Sequence, residues 1–169
     1  MSRLLRLSII ASVAVLLVSS ALAQQAKPAG VLAATELKTL VPANYFYAGQ
    51  TASVQLRNSA GFRTAKGKDV LAGMVDTSGY SADIAQKYQG FFITETKLSI
   101  EGSDLAPGAY GFGFMGDKFI ITDISGGDLF SVASKKDDTL KRAVPLKIVA
   151  EGDGYRLYAG KKWVGLKVQ

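Results

Sequence analysis

The chain reads as an all-β protein, an antiparallel small barrel or β-sandwich of about eight or nine strands with one or two short helices. Three observations predict this class. Apolar runs are short, most of them five to seven residues. All 18 glycines lie beyond residue 23 and punctuate those runs, as tight turns between strands do. Several runs also alternate with period two: Ala52, Val54 and Leu56 share one face, and Ser53, Gln55 and Arg57 the other.

The elements follow in order. Arg3 and Arg6 precede the apolar run Leu7–Val18, and Ala21 and Ala23 supply a small-x-small cleavage pattern. That is a signal peptide over residues 1–23, too short in its apolar part for the ~20 residues of a membrane span. Residues 24–34 read as a flexible leader, and 35–169 as a single β-domain. Thr35–Val41 makes one or two helical turns, stopped by Pro42. Strands are expected at Ala52–Arg57 and Asp69–Val75, with a turn at Asn58–Gly61. Ser81 is placed to cap a short helix through Tyr88. Gln89–Ile100 reads as one long strand. Leu105-Ala106-Pro107-Gly108 suits a type II turn, because Pro presets φ and Gly accepts a positive one.

That turn launches Ala109–Phe114, where Gly111 and Gly113 alternate with aromatic residues and invite close approach by a ring or another backbone. Lys118–Thr122, Leu129–Ser134, Pro145–Ala150, Tyr155–Ala159 and Trp163–Val168 complete the set. Gly152-Asp153-Gly154 and Gly160-Lys161 suit hairpins. Lys135–Arg142 is the most polar connection in the chain.

Composition excludes much chemistry. With no His and no Cys there is no Ser-His-Asp or Cys-His nucleophile, and none of the usual zinc, copper or iron sites. Acid–base catalysis would fall to carboxylates, Lys or Tyr with strongly shifted pKa values. An exported domain without disulfides is held by packing, which this length permits. The net charge of +6 falls to +4 once Arg3 and Arg6 leave with the signal, and the surplus lies from Lys135 onward.

Five strings carry a resemblance: Gly49–Asn58, Val75–Ser81, Leu105–Tyr110, Gly127–Phe130 and Gly154–Tyr158. Together they resemble a family of small exported bacterial proteins with no assigned activity, over roughly Val41 to the C-terminus. The resemblance implies an exported β-domain and carries over no functional residue.

Candidate sites are weighed on their chemistry. Tyr110 and Phe112, with neighbouring aromatic residues, would line a cavity for an apolar or glycan ligand unless they are simply core. Arg57 and Glu95 would pair inside a barrel, since an unpaired buried charge is costly, unless they lie on the surface. Arg57, Glu95, Tyr110 and Phe112 are therefore the candidate ligand-binding residues. Asp123, Ser125 and Asp128 surround a flexible turn with oxygens but lack EF-hand spacing, so no metal is expected. The mixture of basic and aromatic residues from Tyr155 to Trp163 suits base stacking, yet an exported protein seldom meets nucleic acid.

The sequence thus points to an exported, soluble binding or interaction module, periplasmic or extracellular, with no cofactor, no catalytic residue, no nucleic-acid partner and no transmembrane span after processing. A carboxylate- or Tyr-dependent enzyme acting on sugars is the first alternative. A structural envelope protein that binds another protein is the second. Oligomeric state stays open.

Overall fold

A computed structural model describes residues 27–169, so the signal peptide expected over residues 1–23 lies outside the described residues. The strands are β1 (Gly30–Val31), β2 (Asn44–Tyr47), β3 (Gln50–Arg63), β4 (Asp69–Val75), β5 (Gly90–Thr94), β6 (Leu98–Ile100) and β7 (Ser103–Leu105). They continue as β8 (Gly108–Met115), β9 (Lys118–Thr122), β10 (Asp128–Ala133), β11 (Lys135–Lys136), β12 (Val144–Glu151), β13 (Gly154–Gly160) and β14 (Lys162–Val168). Two short helices, α1 (Ala34–Leu40) and α2 (Ala82–Lys87), interrupt them. No helix among the described residues is long and apolar enough to cross a membrane.

The strands form two antiparallel sheets. One runs β1-β3-β4-β5-β8-β9-β10 with β2 paired to β3; the other runs β12-β13-β14-β6-β7 with β11 paired to β14. Each sheet has free ends instead of closing on itself, so the architecture is an all-β sandwich. Its core lies between the sheets. Phe62, Phe92, Phe112, Phe119 and Ile121 from the first meet Leu98, Ile100, Leu157, Val164 and Leu166 from the second. Tyr155 of the second sheet stacks on Phe62 of the first, with ring centroids 3.7 Å apart.

The first sheet is buried on its other face as well. Leu37 of α1, Tyr45 and Tyr47 of β2, and Tyr88 after α2 cover Leu71, Val75 and Phe91. This second layer explains why β4 and β5 are apolar almost throughout and do not alternate. It also explains the glycines of β8. A Cβ on Gly111 would sit 2.5 Å from the Tyr47 ring, and one on Gly113 would sit 2.2 Å from the Lys87 carbonyl oxygen. The close approach expected at those positions is therefore met, by a ring at one and a backbone at the other.

Several local expectations need correction. Gly30–Val31 of the predicted leader pairs with Phe62 and Arg63 of β3, and Leu32 is buried, so that part of it is tied down. The predicted turn at Asn58–Gly61 is continuous strand within β3. The register of β3 on β4 shifts between Val54 and Ser59, which breaks the alternation and leaves Leu56 exposed.

Gln89–Ile100 is two strands in different sheets. Thr94 Oγ1 donates to the Thr96 carbonyl and accepts from the Thr96 N–H, turning the chain from one layer into the other. Ala106 and Pro107 carry it back, and Gly108 lacks the positive φ that a type II turn would need. The two C-terminal hairpins do form as expected, with positive φ at Gly152 and Gly160.

Candidate functional site

The four residues singled out from the sequence are not brought together. Arg57 is exposed in the bulge of β3, beside Leu37 and Lys38 of α1. Glu95 lies at the end of β5, where Oε2 accepts the Asp69 N–H at 2.8 Å. The buried arginine beside it is Arg63, whose guanidinium meets Glu36 Oε1 at 3.0 Å and Asp69 Oδ1 at 2.7 Å. An Arg57–Glu95 pair is thus replaced by an Arg63–Asp69–Glu36 network. The bulge rotates Arg57 outward, and α1 covers Arg63.

Phe112 is fully buried and packs on Phe119, with centroids 5.6 Å apart. Tyr110 is half-buried and donates its hydroxyl to the Ala106 carbonyl at 2.9 Å. Phe112 belongs to the inter-sheet core, and Tyr110 packs against that core from its partly exposed margin. Asp123 Oδ1 is engaged by its own turn, accepting from the Ser125 N–H, the Ser125 hydroxyl and the Gly127 N–H.

A more concentrated group of polar and aromatic side chains lies on the outer face of the second sheet. Its foundation is the register of β13 on β14, which sets Arg156 opposite Gly165 and Tyr158 opposite Trp163. With Leu157, Val164 and Leu166 turned into the core, Arg156, Tyr158 and Trp163 point outward. Tyr155, part of the same basic and aromatic string, points inward onto Phe62.

The far edge of β14 is shared. β11 pairs with its first two residues and β6 with its last three, which leaves a gap at Val164 and Gly165. Glu101 fills that gap from the β6–β7 turn. Its Oε1 accepts the Gly165 N–H at 2.6 Å, its N–H donates to the Gly165 carbonyl at 3.2 Å, and its Oε2 meets Lys135 Nζ at 2.8 Å. To do this Glu101 holds φ at +46°, a left-handed conformation that non-glycine residues seldom adopt. Such strain persists where the surroundings over-determine it, here through three contacts.

Trp163 carries two cations: the Arg156 guanidinium carbon lies 3.8 Å from its ring centroid and Lys135 Nζ 4.7 Å. Arg156 is forked onto the Glu151 carboxylate and also donates to the Tyr158 hydroxyl at 3.3 Å. That hydroxyl in turn donates to Asp137 Oδ2 at 3.0 Å. The Thr139 hydroxyl and then Tyr158 hold the Asp137 carboxyl below its ordinary range, while Tyr158 and Glu151 raise Arg156. Asp137 and Arg156 are therefore charged at neutral pH. An open depression of about 300 Å³ has Gly165 as floor and Ser99, Glu101, Lys135, Glu151 and Trp163 as walls.

The arrangement offers acceptors, donors and an aromatic ring side by side, the equipment of recognition. The resolved carboxylate shifts all run in one direction. Every carboxylate with a resolved shift (Glu36, Asp76, Asp104, Asp123, Asp137 and Asp153) is held below its ordinary value, whereas a general acid needs the opposite. Tyr45 is pushed up to about 12 by burial, which takes it away from service as a base.

The hairpin was visible in the sequence as a basic and aromatic string. Glu101 was not, because only the pairing of β6 with β14 brings it there. No family model, curated protein or solved structure matches the chain.

Proposed function

We propose that this protein is an exported binding module whose ligand is a glycan, held on the outer face of the second sheet around Trp163. One observation carries the proposal: the floor at Gly165, which has no side chain of its own, lies between Trp163, the Glu101 carboxylate and the Lys135 ammonium. A pyranose has an apolar C–H face and a rim of hydroxyls that both donate and accept. Trp163 lines the depression with carbon beside the Glu101 carboxylate and the Lys135 ammonium, which matches both features. The leader pattern of residues 1–23 supports export.

Trp163 is the single tryptophan of the chain, so its fluorescence reports on this site alone. Titration with a panel of soluble oligosaccharides, neutral and acidic, is expected to give a saturable emission change with at least one member. Gly165→Val, which fills the floor, is expected to abolish it. A panel that leaves the emission unchanged, or a response that survives Gly165→Val, refutes the proposal.

A protein partner is the second reading, favoured by the free edge of β10. Among the described residues its one strand partner is β9, it carries neither Lys nor Pro to blunt pairing, and its own Leu129 is 49% exposed. Recovery of a cross-linked partner through a photoreactive residue at position 129, lost in Ser131→Pro, would favour that reading.

A further inference from the structure

A second cleft lies at one end of the sandwich, and nothing in the glycan proposal uses it. Phe114, at the end of β8 in the first sheet, and Ala159, on β13 in the second, form its apolar floor. Gly160, Lys161 and Lys162 of the β13–β14 hairpin, together with Lys136 of β11, form the rim, enclosing about 390 Å³. Gln89 also borders it, but its amide is spent on the backbone. It donates to the Phe114 carbonyl at 3.2 Å and accepts the Phe114 N–H at 3.0 Å. The floor therefore offers carbon surface and few free hydrogen-bonding groups.

The rim is the reverse. Three ammonium groups surround the opening and no carboxylate lines it. Lys136 is paired with Asp138 at 2.6 Å, and Lys162 reaches the Gly116 carbonyl, which brings no negative charge. Lys161 has no ion-pair partner among the described residues. Lys135, Arg156 and Lys167 of the second sheet are paired with Glu101, Glu151 and Asp153, whereas Lys147 of β12 lies over the Tyr158 ring. At this opening Lys161 and Lys162 bring positive charge that no lining carboxylate offsets. A ligand that satisfies both halves carries one negative head and an apolar tail.

We propose that this cleft binds a medium-chain fatty acid, with its carboxylate among Lys136, Lys161 and Lys162 and its chain laid over Phe114 and Ala159. The carboxylate neutralises the unpaired charge, and the chain lies against half-buried Ala159 and the 8% of Phe114 that stays exposed at this end. The site is separate from the Trp163 depression, so either proposal can fail without the other.

The test is amide-resolved NMR titration of the protein with octanoate, octanol and acetate. Octanoate is expected to saturate, with shifts centred on Phe114, Ala159 and Lys161, and to bind at least tenfold more tightly than octanol. Acetate is expected not to saturate. Lys161→Gln and Lys136→Gln, which leave the backbone and the apolar floor untouched, are each expected to weaken octanoate several-fold. Equal affinity for octanoate and octanol would overturn the proposal, since the lysines would then play no part. Equal response to octanoate and acetate would overturn it as well, and so would the absence of saturation or shifts mapped to another face. The three-ligand comparison needs no variant, so a misfolded mutant cannot obscure the outcome.

Discussion

Glu101 illustrates how one residue is bound to both fold and site. It sits at the first central position of a two-residue hairpin between Ile100 and Ser103, followed by Gly102 at φ +90°. Turns of this kind favour Asn-Gly, since Asn tolerates positive φ better than Glu. Glu101→Asn should therefore relieve strain while losing the hydrogen bond to Gly165 and the pair with Lys135. The opposing effects should leave stability changed by no more than about 1 kcal/mol, while ligand affinity at the Trp163 depression falls at least tenfold. A melting curve and a fluorescence titration of the same variant separate the two effects. Gly113 has a purely structural role. Any Cβ there meets the Lys87 carbonyl, which is backbone and cannot swing aside. Gly113→Ala should cost about 1–3 kcal/mol, read by urea denaturation.

Among the elements, β3 shows what the sequence could and could not disclose. Its first half was legible because Ala52 and Val54 alternate with polar neighbours. The bulge that follows was not, because it depends on how β3 meets β4 and α1, with no local turn residue to announce it. The hairpins at Gly152 and Gly160 were legible because glycine at positive φ is a local requirement. The crossings at Thr94–Thr96 and Ala106–Pro107 were not, since strands of either sheet look alike in one dimension. The candidate site divides in the same way. Arg156, Tyr158 and Trp163 are neighbours in a hairpin that the sequence marks. Glu101 and Lys135 arrive through long-range pairing along β14. The same logic explains Phe112: alternating aromatic residues on β8 suit a cavity wall or a packed core equally well, and the facing sheet decides. Phe112→Ala should cost about 3–5 kcal/mol and leave the Trp163 depression unaffected, as a core position would.

For the whole molecule, the layered burial of tyrosines sets the response to pH. Tyr45 is raised to about 12 by burial from an ordinary value of 10.0. Tyr88 is raised further by the same cause. A group whose folded pKa lies above its unfolded value stabilises the fold fully below the unfolded pKa and loses that contribution as pH rises toward the folded one. Stability should therefore begin to fall near pH 10, and the buried tyrosines should ionise only as the protein unfolds, followed by phenolate absorbance alongside circular dichroism. The lowered carboxylates act in the opposite sense. Asp104, Asp123, Asp137 and Asp153 stabilise the fold above their ordinary value of 3.8, and that contribution disappears as pH drops through their lower folded values. With no histidine in the chain, the span between these limits should be nearly flat.

Glycan recognition on the outer face of the second sheet is tested most directly by mapping amide and indole shifts during titration with the oligosaccharide panel. The account predicts saturable changes at the Trp163 indole N–H and at the Glu101 and Gly165 amides, with the inter-sheet core silent. Shifts that avoid all three, or a spectrum unchanged by every sugar tried, would contradict it.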